Sequence, residues 1–170
     1  MILRYSNEWP QKYQNESDLI KQIFESDIID IQHIGSTAVP GLTSKPIIDI
    51  AVMVDSIEDR DYFLSKLKEI DYEYKEELSS PERAFFRKGS PVEYHLSITS
   101  SRYSFWERQI EFRDFLISKP DYRDEYGKIK TEAVDGLGQK DMNDLSLSDS
   151  YNLKKGPFIE SVLKRIQDSK

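Results

Sequence analysis

The alternation of hydrophobic and polar positions in the first third of the chain predicts one helix and two strands. Apolar side chains at helical spacing predict an amphipathic helix over Trp9–Phe24, with Pro10 in its first turn. A mixed apolar and polar run over 28–34 predicts a short strand. After a turn-rich loop over 35–46, residues 47–54 are nearly all apolar or β-branched, which is typical of a central strand buried on both faces.

The remaining pattern predicts further short strands and then a helical C-terminal part. Asp55 and Ser56 are expected to cap a helix that runs to about residue 70. Strands are expected at 72–74, 84–88 and 92–99, and helices at 101–118, 120–134 and 147–166. Gly136 and Gly138 open a loop, and Pro157 must kink the last helix or begin a new one. The elements together predict an α+β fold with α/β-type layers, in which helices flank a mixed sheet of about five strands and a helical C-terminal segment packs against it.

Composition narrows the kind of protein further. The chain has 170 residues, 38% hydrophobic and 32% charged, which predicts one folded domain over 1–170 that is mainly helical from 101. It has no cysteine, which excludes disulfides, thiolate zinc sites, iron–sulfur clusters and cysteine nucleophiles. Its start does not resemble a signal peptide, and no stretch approaches about 18 consecutive apolar residues. A cytoplasmic protein without membrane contact is therefore expected.

The net charge of −7 is unevenly distributed along the chain. Residues 55–82 hold ten acidic and four basic side chains, whereas residues 83–113 hold six basic and three acidic ones. An acidic chain is not expected to bind long nucleic acids, because neutralising their phosphates requires clustered cations. The part outside the acidic segment is nearly neutral, so the charge does not argue against a nucleotide.

Asp49 is the most informative single residue, because it is a carboxylate inside an otherwise apolar strand. An unpaired carboxylate is costly to bury, so a cation, a metal ion or several N–H donors must stabilise it. A structural ion pair, for example with Lys45, is one solution. A ligand site is the other, and the small residues Gly35, Ser36 and Gly41 favour it because they let a ligand approach the backbone.

The spacing of the Gly35-Ser36 pair and Asp49 resembles the signature of the nucleotidyltransferase superfamily, whereas the P-loop and dinucleotide-binding glycine patterns do not match. That superfamily places Gly-Ser at a helix start and an Asp-x-Asp/Glu pair on the next strand. A third carboxylate comes from a later strand. The carboxylates hold Mg²⁺, which bridges nucleotide phosphates and aligns an attacking hydroxyl.

A longer match resembles the hallmark of the GrpB family. It is His33-Ile34-Gly35-Ser36-Thr37-Ala38-Val39-Pro40-Gly41-Leu42, followed by Lys45-Pro46-Ile47-Ile48-Asp49-Ile50. The similarity covers nearly the whole chain, through Glu8-Trp9-Pro10, Phe85-Phe86-Arg87-Lys88-Gly89, Tyr94-His95-Leu96, Phe112-Arg113-Asp114-Phe115-Leu116, and Tyr151 with Lys155. The resemblance implies a nucleotidyltransferase-like fold, and the family occurs in some bacteria fused to dephospho-CoA kinase.

The resemblance implies roles residue by residue. Gly35 and Ser36 match the loop that holds nucleotide phosphate, and Asp49 matches the first metal-binding carboxylate. Ala51 occupies the position of the second carboxylate, where it cannot bind a metal. Glu93 would supply the carboxylate of the later strand, if that strand lies beside the one that carries Asp49.

Further candidates would contact phosphate or another acidic group. His95 lies two residues after Glu93 and therefore shares its face of the predicted strand. Guanidinium groups match phosphate geometry, and lysines near the strand ends add charge. The candidate phosphate-binding residues beyond Gly35 and Ser36 are Thr37, Lys45, Arg83, Arg87 and His95.

The leading hypothesis is a Mg²⁺-dependent nucleotidyltransferase-like enzyme that transfers an NMP from an NTP to an unidentified acceptor, with Asp49 and Glu93 as catalytic and metal-binding residues. The alternative is a non-catalytic accessory module on the same fold that binds a nucleotide or another phosphorylated small molecule. Ala51 and the fusions within the family favour this alternative.

Two further hypotheses start from the only two histidines, His33 and His95. Together with Asp49 and Glu93 they would suit a mononuclear transition-metal site. A histidine paired with a carboxylate would also suit a hydrolase with Ser36 as nucleophile, although the chain lacks a nucleophile-elbow motif.

Overall fold

The computed structural model describes residues 2–135 and 149–170, which build a mixed five-stranded sheet with helices against both faces. The strands are β1 Asp30–Ile34, β2 Ile48–Val54, β3 Glu73–Tyr74, β4 Arg83–Lys88 and β5 Tyr94–Ser100. The helices are α1 Trp9–Phe24, α2 Arg60–Lys68, α3 Phe105–Ser118, α4 Pro120–Asp135 and α5 Asp149–Asp168. The predicted α+β class and five-stranded mixed sheet are confirmed, whereas the predicted loop at Gly136 and Gly138 lies outside the described residues.

The strand order β1-β2-β5-β4-β3 puts the strand that carries Asp49 in the interior of the sheet. β2 pairs antiparallel with β1 and parallel with β5, while β4 is antiparallel to both of its neighbours. The middle position belongs to β5. The register sets Asp49 between Ile34 on β1 and His95 on β5, so residues far apart in sequence share one row of the sheet.

The main core lies between one face of the sheet and helices α1 and α2. Successive strand residues point to opposite faces, so the apolar residues at alternate positions of β2 all reach this core. They pack with Trp9, Ile20 and Phe24 of α1 and with Phe63 and Leu67 of α2. Each such aliphatic or aromatic side chain contributes about 1.5–3 kcal/mol to the stability of the fold when it is fully buried. Asp49 lies on the opposite face of the sheet.

A second, smaller core ties the C-terminal helices to the loop after β1. It consists of Val39 and Leu42 from the loop, Leu116 from α3, Tyr126 from α4, and Phe158 and Val162 from α5. This packing holds α3, α4 and α5 near the face of the sheet that carries Asp49. None of the helices in the described part of the chain is long and apolar enough to cross a bilayer.

Two of the predicted helix features need correction. Helix α2 begins after Asp59 instead of at Asp55–Ser56, because Ile57 is buried in the main core and the Asp59 side chain then accepts the Tyr62 N–H at 3.1 Å. Helix α5 continues through Pro157 as one element, so Pro157 does not begin a new helix. The carbonyl that loses its partner there belongs to Leu153, which is 73% exposed, so water can replace the missing N–H. The predicted start of this helix at residue 147 lies outside the described residues.

Candidate functional site

Asp49 and His95 form a hydrogen-bonded pair on the sheet face opposite the main core. His95 Nδ1 lies 3.0 Å from Asp49 Oδ1, and the side chains are 12% and 33% exposed. Because the carboxylate can only accept, Nδ1 carries the proton in this pair. The other ring nitrogen, Nε2, is buried and has no hydrogen-bond partner among the described residues. The pair provides part of the stabilisation that a carboxylate in an apolar strand requires.

The turn after β1 presses directly against Asp49. Gly35 has φ 70° and ψ −167°, a combination essentially restricted to glycine. A Cβ atom at this position would lie 2.9 Å from the Cβ and Cγ atoms of Asp49, closer than side-chain carbons pack. Ser36 follows and begins the short 3₁₀ turn Ser36–Ala38. Glycine is therefore required for the turn and the carboxylate to meet.

A cavity of about 200 Å³ opens between this turn, the sheet and the C-terminal helices, and we call it the Asp49 cavity. Arg83 of β4 and Lys155 of α5 line it together with Asp49. A neighbouring cavity of about 180 Å³ shares Asp49 and Lys155 and adds Lys45. Among the described residues, Asp49 is the one acidic side chain that lines either cavity, against three cationic ones.

The cations are fixed in place by aromatic rings and hydrogen bonds. The Arg83 guanidinium lies 4.8 Å from the Phe85 ring centroid and 5.3 Å from that of Phe105. It also donates to Ser97 Oγ at 3.1 Å. The Nζ atoms of Lys155 and Lys45 lie 4.1 Å and 4.9 Å from the centroid of the Tyr151 ring. Because cation–π contacts and hydrogen bonds hold these groups, the positive charges are positioned before any ligand arrives.

Burial and the charge of Asp49 act in opposite directions on the basic groups around the cavity. Burial lowers the pKa of the Lys155 ammonium to about 8, and the Asp49 carboxylate partly offsets this. Burial also lowers the pKa of Lys130 to about 7, assisted by the charge of Lys155 and opposed by Asp49. The pKa of Arg83 is lowered by burial and raised by Asp49. The Asp49 carboxylate thus partly offsets the lowering of pKa that burial causes in several cations. An anionic ligand would stabilise the charged forms of these groups further.

His33 lies on the opposite side of the sheet from Asp49, since it shares a face with the main core. Its ring stacks on Tyr13 of α1 with 4.8 Å between centroids. Its Nε2 lies 3.0 Å from Thr37 Oγ1, and Thr37 donates its own hydroxyl proton to the Ile47 carbonyl at 3.1 Å. His33 Nε2 is therefore the donor, and burial lowers the pKa of this imidazole to about 4. Both side chains stabilise the turn and line neither cavity.

Glu93 is also separated from Asp49. Strand β5 begins at Tyr94, one residue too late to hold Glu93 on the face of His95. The Glu93 carboxylate instead lies 3.7 Å from Lys12 Nζ of α1. Arg87 does sit beside His95 in the β4–β5 register, with its guanidinium 6.0 Å from the Phe85 ring, but it lines neither cavity. The structure thus brings together Gly35, Ser36, Lys45, Asp49, Arg83 and His95 of the predicted set, and does not bring Thr37, Arg87 or Glu93 to them.

The described residues do not by themselves supply the ligands of a magnesium centre. Mg²⁺ requires a nearly octahedral shell of oxygen ligands, and Asp49 already accepts a hydrogen bond from His95 on one oxygen. Ala51 is fully buried where a second carboxylate would stand. Over 2–135 and 149–170, no group of three or more histidine and acidic side chains is arranged to hold a metal. The proposed mononuclear site with both histidines is not assembled there either, and no hydrogen bond joins Ser36 to a histidine among these residues.

Three polar residues of the helical part of this site are not predicted as site residues from the sequence: Lys155, Gln109 and Tyr126. All three come from the C-terminal helices, and all line the Asp49 cavity. A signal existed only for Lys155, since Tyr151 and Lys155 are four residues apart and so lie on one face of a helix. The other two have the spacing of ordinary helix residues.

Comparison with protein families identifies a match to the model described as GrpB protein, over residues 1–165. The glutamate-rich protein GrpB of Alkalihalophilus pseudofirmus is 30% identical over 172 residues, which cover 98% of this chain and 95% of that protein. A dephospho-CoA kinase of Mycolicibacterium paratuberculosis is 26% identical over 95% of this chain, which spans 44% of the kinase.

Comparison with solved structures identifies proteins that share this fold. The crystal structure of conserved protein GrpB from Enterococcus faecalis superposes with a TM-score of 0.82 at 29% identity, covering 98% of this chain and 99% of that one. The GLD-2/RNP-8 complex has a TM-score of 0.58 at 15% identity, over 88% of this chain and 49% of that one. The Cid1 poly(U) polymerase, as an H336N mutant bound to MgATP, has a TM-score of 0.53 at 13% identity over 74% and 41%. At such low identities the last two show the fold alone, which is nucleotidyltransferase-like.

Proposed function

Because the chain belongs to the GrpB family and has a nucleotidyltransferase-like fold, we propose that its Asp49 cavity binds the phosphate group of a nucleotide or another phosphorylated small molecule. One observation carries this proposal. Among the described residues, three cationic side chains line the two adjoining cavities, and a single carboxylate, that of Asp49, lines them as well. An excess of positive over negative side chains in a partly desolvated site is stabilised by an anion. Phosphate is an anion that guanidinium and ammonium groups bind well.

The proposed contacts follow from the cavity lining. Arg83 uses N–H groups for Ser97 Oγ and for the Leu78 carbonyl, both at 3.1 Å, which orients the guanidinium and leaves further N–H donors for the ligand. Lys155 contributes an ammonium group from the opposite wall. Ser36 lines both cavities and would donate its hydroxyl to a phosphate oxygen that lies between them. The phosphate would thus be held from the sheet, the helices and the turn at once.

Direct binding measurements test this proposal. We expect inorganic phosphate, AMP and ATP to bind the full chain in calorimetric titrations at pH 7.5 in the presence of EDTA. Lys155→Gln should weaken binding about tenfold or more, since a hydrogen bond to a charged group contributes about 1.5–3 kcal/mol. Lys154→Gln is the matched control, because Lys154 is exposed on the same helix and lines neither cavity. If no phosphate compound binds at millimolar concentration with or without Mg²⁺, the proposal is wrong.

A second candidate function is the metal-dependent transfer of an NMP from an NTP. The close packing of the Gly35 turn on Asp49 favours it, because it matches the arrangement that the sequence predicts for that chemistry. Asp49→Asn separates the two candidates. If the site binds phosphate without a metal, removing the negative charge should strengthen binding. If the site transfers nucleotides, the same substitution should abolish pyrophosphate release from NTP and Mg²⁺ in the presence of a cell extract as the source of acceptor.

A further inference from the structure

An apolar pocket of about 130 Å³ adjoins the Asp49 cavity, and we call it the apolar pocket. The two share four lining residues: Gly35, Ser36, Gln109 and Tyr126. The turn at Gly35 and Ser36 therefore has charged groups on one side and hydrocarbon on the other. A ligand that passes these shared residues would have one end in each compartment.

The far wall of the apolar pocket consists of hydrocarbon side chains. They are Val39 from the loop after β1, Phe112 and Leu116 from α3, and Ile159 and Leu163 from α5. Arg108 stands at the rim, where its guanidinium is about half exposed and lies 3.0 Å from Glu160 Oε1. Within the lining, hydrogen-bonding side chains other than Arg108 are confined to the shared wall, namely Ser36, Gln109 and Tyr126.

This distribution of polar atoms discriminates between ligand types. A nucleobase carries several hydrogen-bonding atoms on its edges, and each one that is buried without a partner weakens binding. A short alkyl or phenyl group carries none and gains affinity in proportion to the apolar area that it buries. The phenol of Tyr126 is neutral at physiological pH, because burial raises its pKa above the usual value. The shared wall therefore adds no charge to the apolar pocket.

We propose that the ligand of this site is an amphipathic phosphate ester, with its phosphate in the Asp49 cavity and a short hydrocarbon group in the apolar pocket. The proposal rests on the proposed function, since it assigns the second half of the same ligand. The space beside Asp49 has a cationic compartment and an apolar compartment. The two are divided by residues of the segment Gly35 to Val39 and of helices α3 and α5.

A homologous series of ligands tests the proposal on the full chain. Inorganic phosphate, methyl phosphate, n-propyl phosphate and n-butyl phosphate would be titrated by calorimetry in EDTA, with AMP for comparison. Each methylene that enters the pocket should strengthen binding roughly fourfold. Ile159→Phe should remove this dependence on chain length by filling the pocket and should leave the affinity for inorganic phosphate unchanged. Ile166→Phe on the same helix is the matched control, because Ile166 does not line the pocket.

The outcomes separate this inference from the proposed function. Affinity that rises with chain length and is flattened by Ile159→Phe supports the inference. If all the phosphate compounds bind with the same affinity, the inference is overturned and the proposed function stands. The same holds if AMP binds more than tenfold more tightly than n-butyl phosphate. If no compound in the series binds, the proposed function fails and the inference fails with it. Should Ile159→Phe not fold, Ile159→Ala would enlarge the pocket, and unchanged selectivity among the longer esters would then count against the inference.

Discussion

Replacing Gly35 by alanine tests the contact on which the site geometry depends. The backbone at Gly35 has φ 70° and ψ −167°, and the added methyl group would lie 2.9 Å from Asp49 Cβ and Cγ. The backbone strain costs about 1–3 kcal/mol for a residue with a side chain, and an overpacked contact inside a sheet costs about 1–3 kcal/mol more. We therefore expect Gly35→Ala to lower the free energy of unfolding by about 4 kcal/mol.

Urea unfolding followed by far-ultraviolet circular dichroism measures this loss. Gly156→Ala is the control, because nothing lies within 4 Å of a Cβ added there. Its gain in helix propensity of about 1 kcal/mol is opposed by the proline that follows, so the change should stay within about 1 kcal/mol. A double-mutant cycle with Asp49→Gly isolates the steric part, which should appear as a favourable coupling of at least about 1 kcal/mol. A loss below about 1 kcal/mol for Gly35→Ala, or no coupling, would refute the reasoning.

Three further changes test the electrostatics and packing around the site. Burial lowers the pKa of Lys130 to about 7 from the ordinary lysine value of 10.5, so the unfolded chain binds more protons between these pH values and the free energy of unfolding rises with pH. Lys130→Met should flatten that rise by up to about 1.4 kcal/mol per pH unit, and an unchanged slope in urea titrations at pH 7.5 and 9 would contradict this. His33 has a pKa near 4 against 6.5, so the wild-type chain should lose about 3 kcal/mol as the pH falls from above 6.5 to below 4. His33→Phe should lack this loss, and parallel stability–pH curves for the two proteins would contradict it. Arg113 donates to Gln32 Oε1 at 3.0 Å and to the His33 carbonyl at 2.9 Å, so Arg113→Met should cost about 2 kcal/mol in urea unfolding. The exposed Arg108→Met should cost less than about 1 kcal/mol, and equal costs for the two variants would contradict a stabilising contribution of these two Arg113 hydrogen bonds.

The local pattern of the sequence predicts the sheet well, because β2 is almost continuously apolar and β5 alternates apolar and polar residues. In β2, the alternation around Asp49 sets the carboxylate on the face away from Ile48 and Ile50. The pairing with His95 required one further fact, that β2 and β5 are neighbours, and no local pattern contains it. The site residues that lie on one continuous stretch, Gly35 to Asp49, were therefore the ones most readily identified.

Other features depend on choices that a single sequence leaves open. His33 was a candidate ligand, but β1 has apolar residues on both faces, and its polar residues do not reveal which face meets α1. The sequence assigns Glu93 to a strand over 92–99, but β5 begins at Tyr94, two residues later, and the Glu93 carboxylate lies near Lys12 instead. Lys155 reaches the cavity only through the packing of α5 on α3 and α4, which is a tertiary contact with no local signature.

The origin of the cavity walls has a consequence for how the protein is made. The sheet and Asp49 come from the first hundred residues, while the Lys155 wall comes from the last helix of the chain. During translation, Asp49 and His95 therefore leave the ribosome well before Lys155, whose ammonium group lines the other wall of the Asp49 cavity. A nascent chain that ends after β5 holds Asp49 and His95 and lacks the helical wall, so the proposed anion site is complete only once α5 has been made.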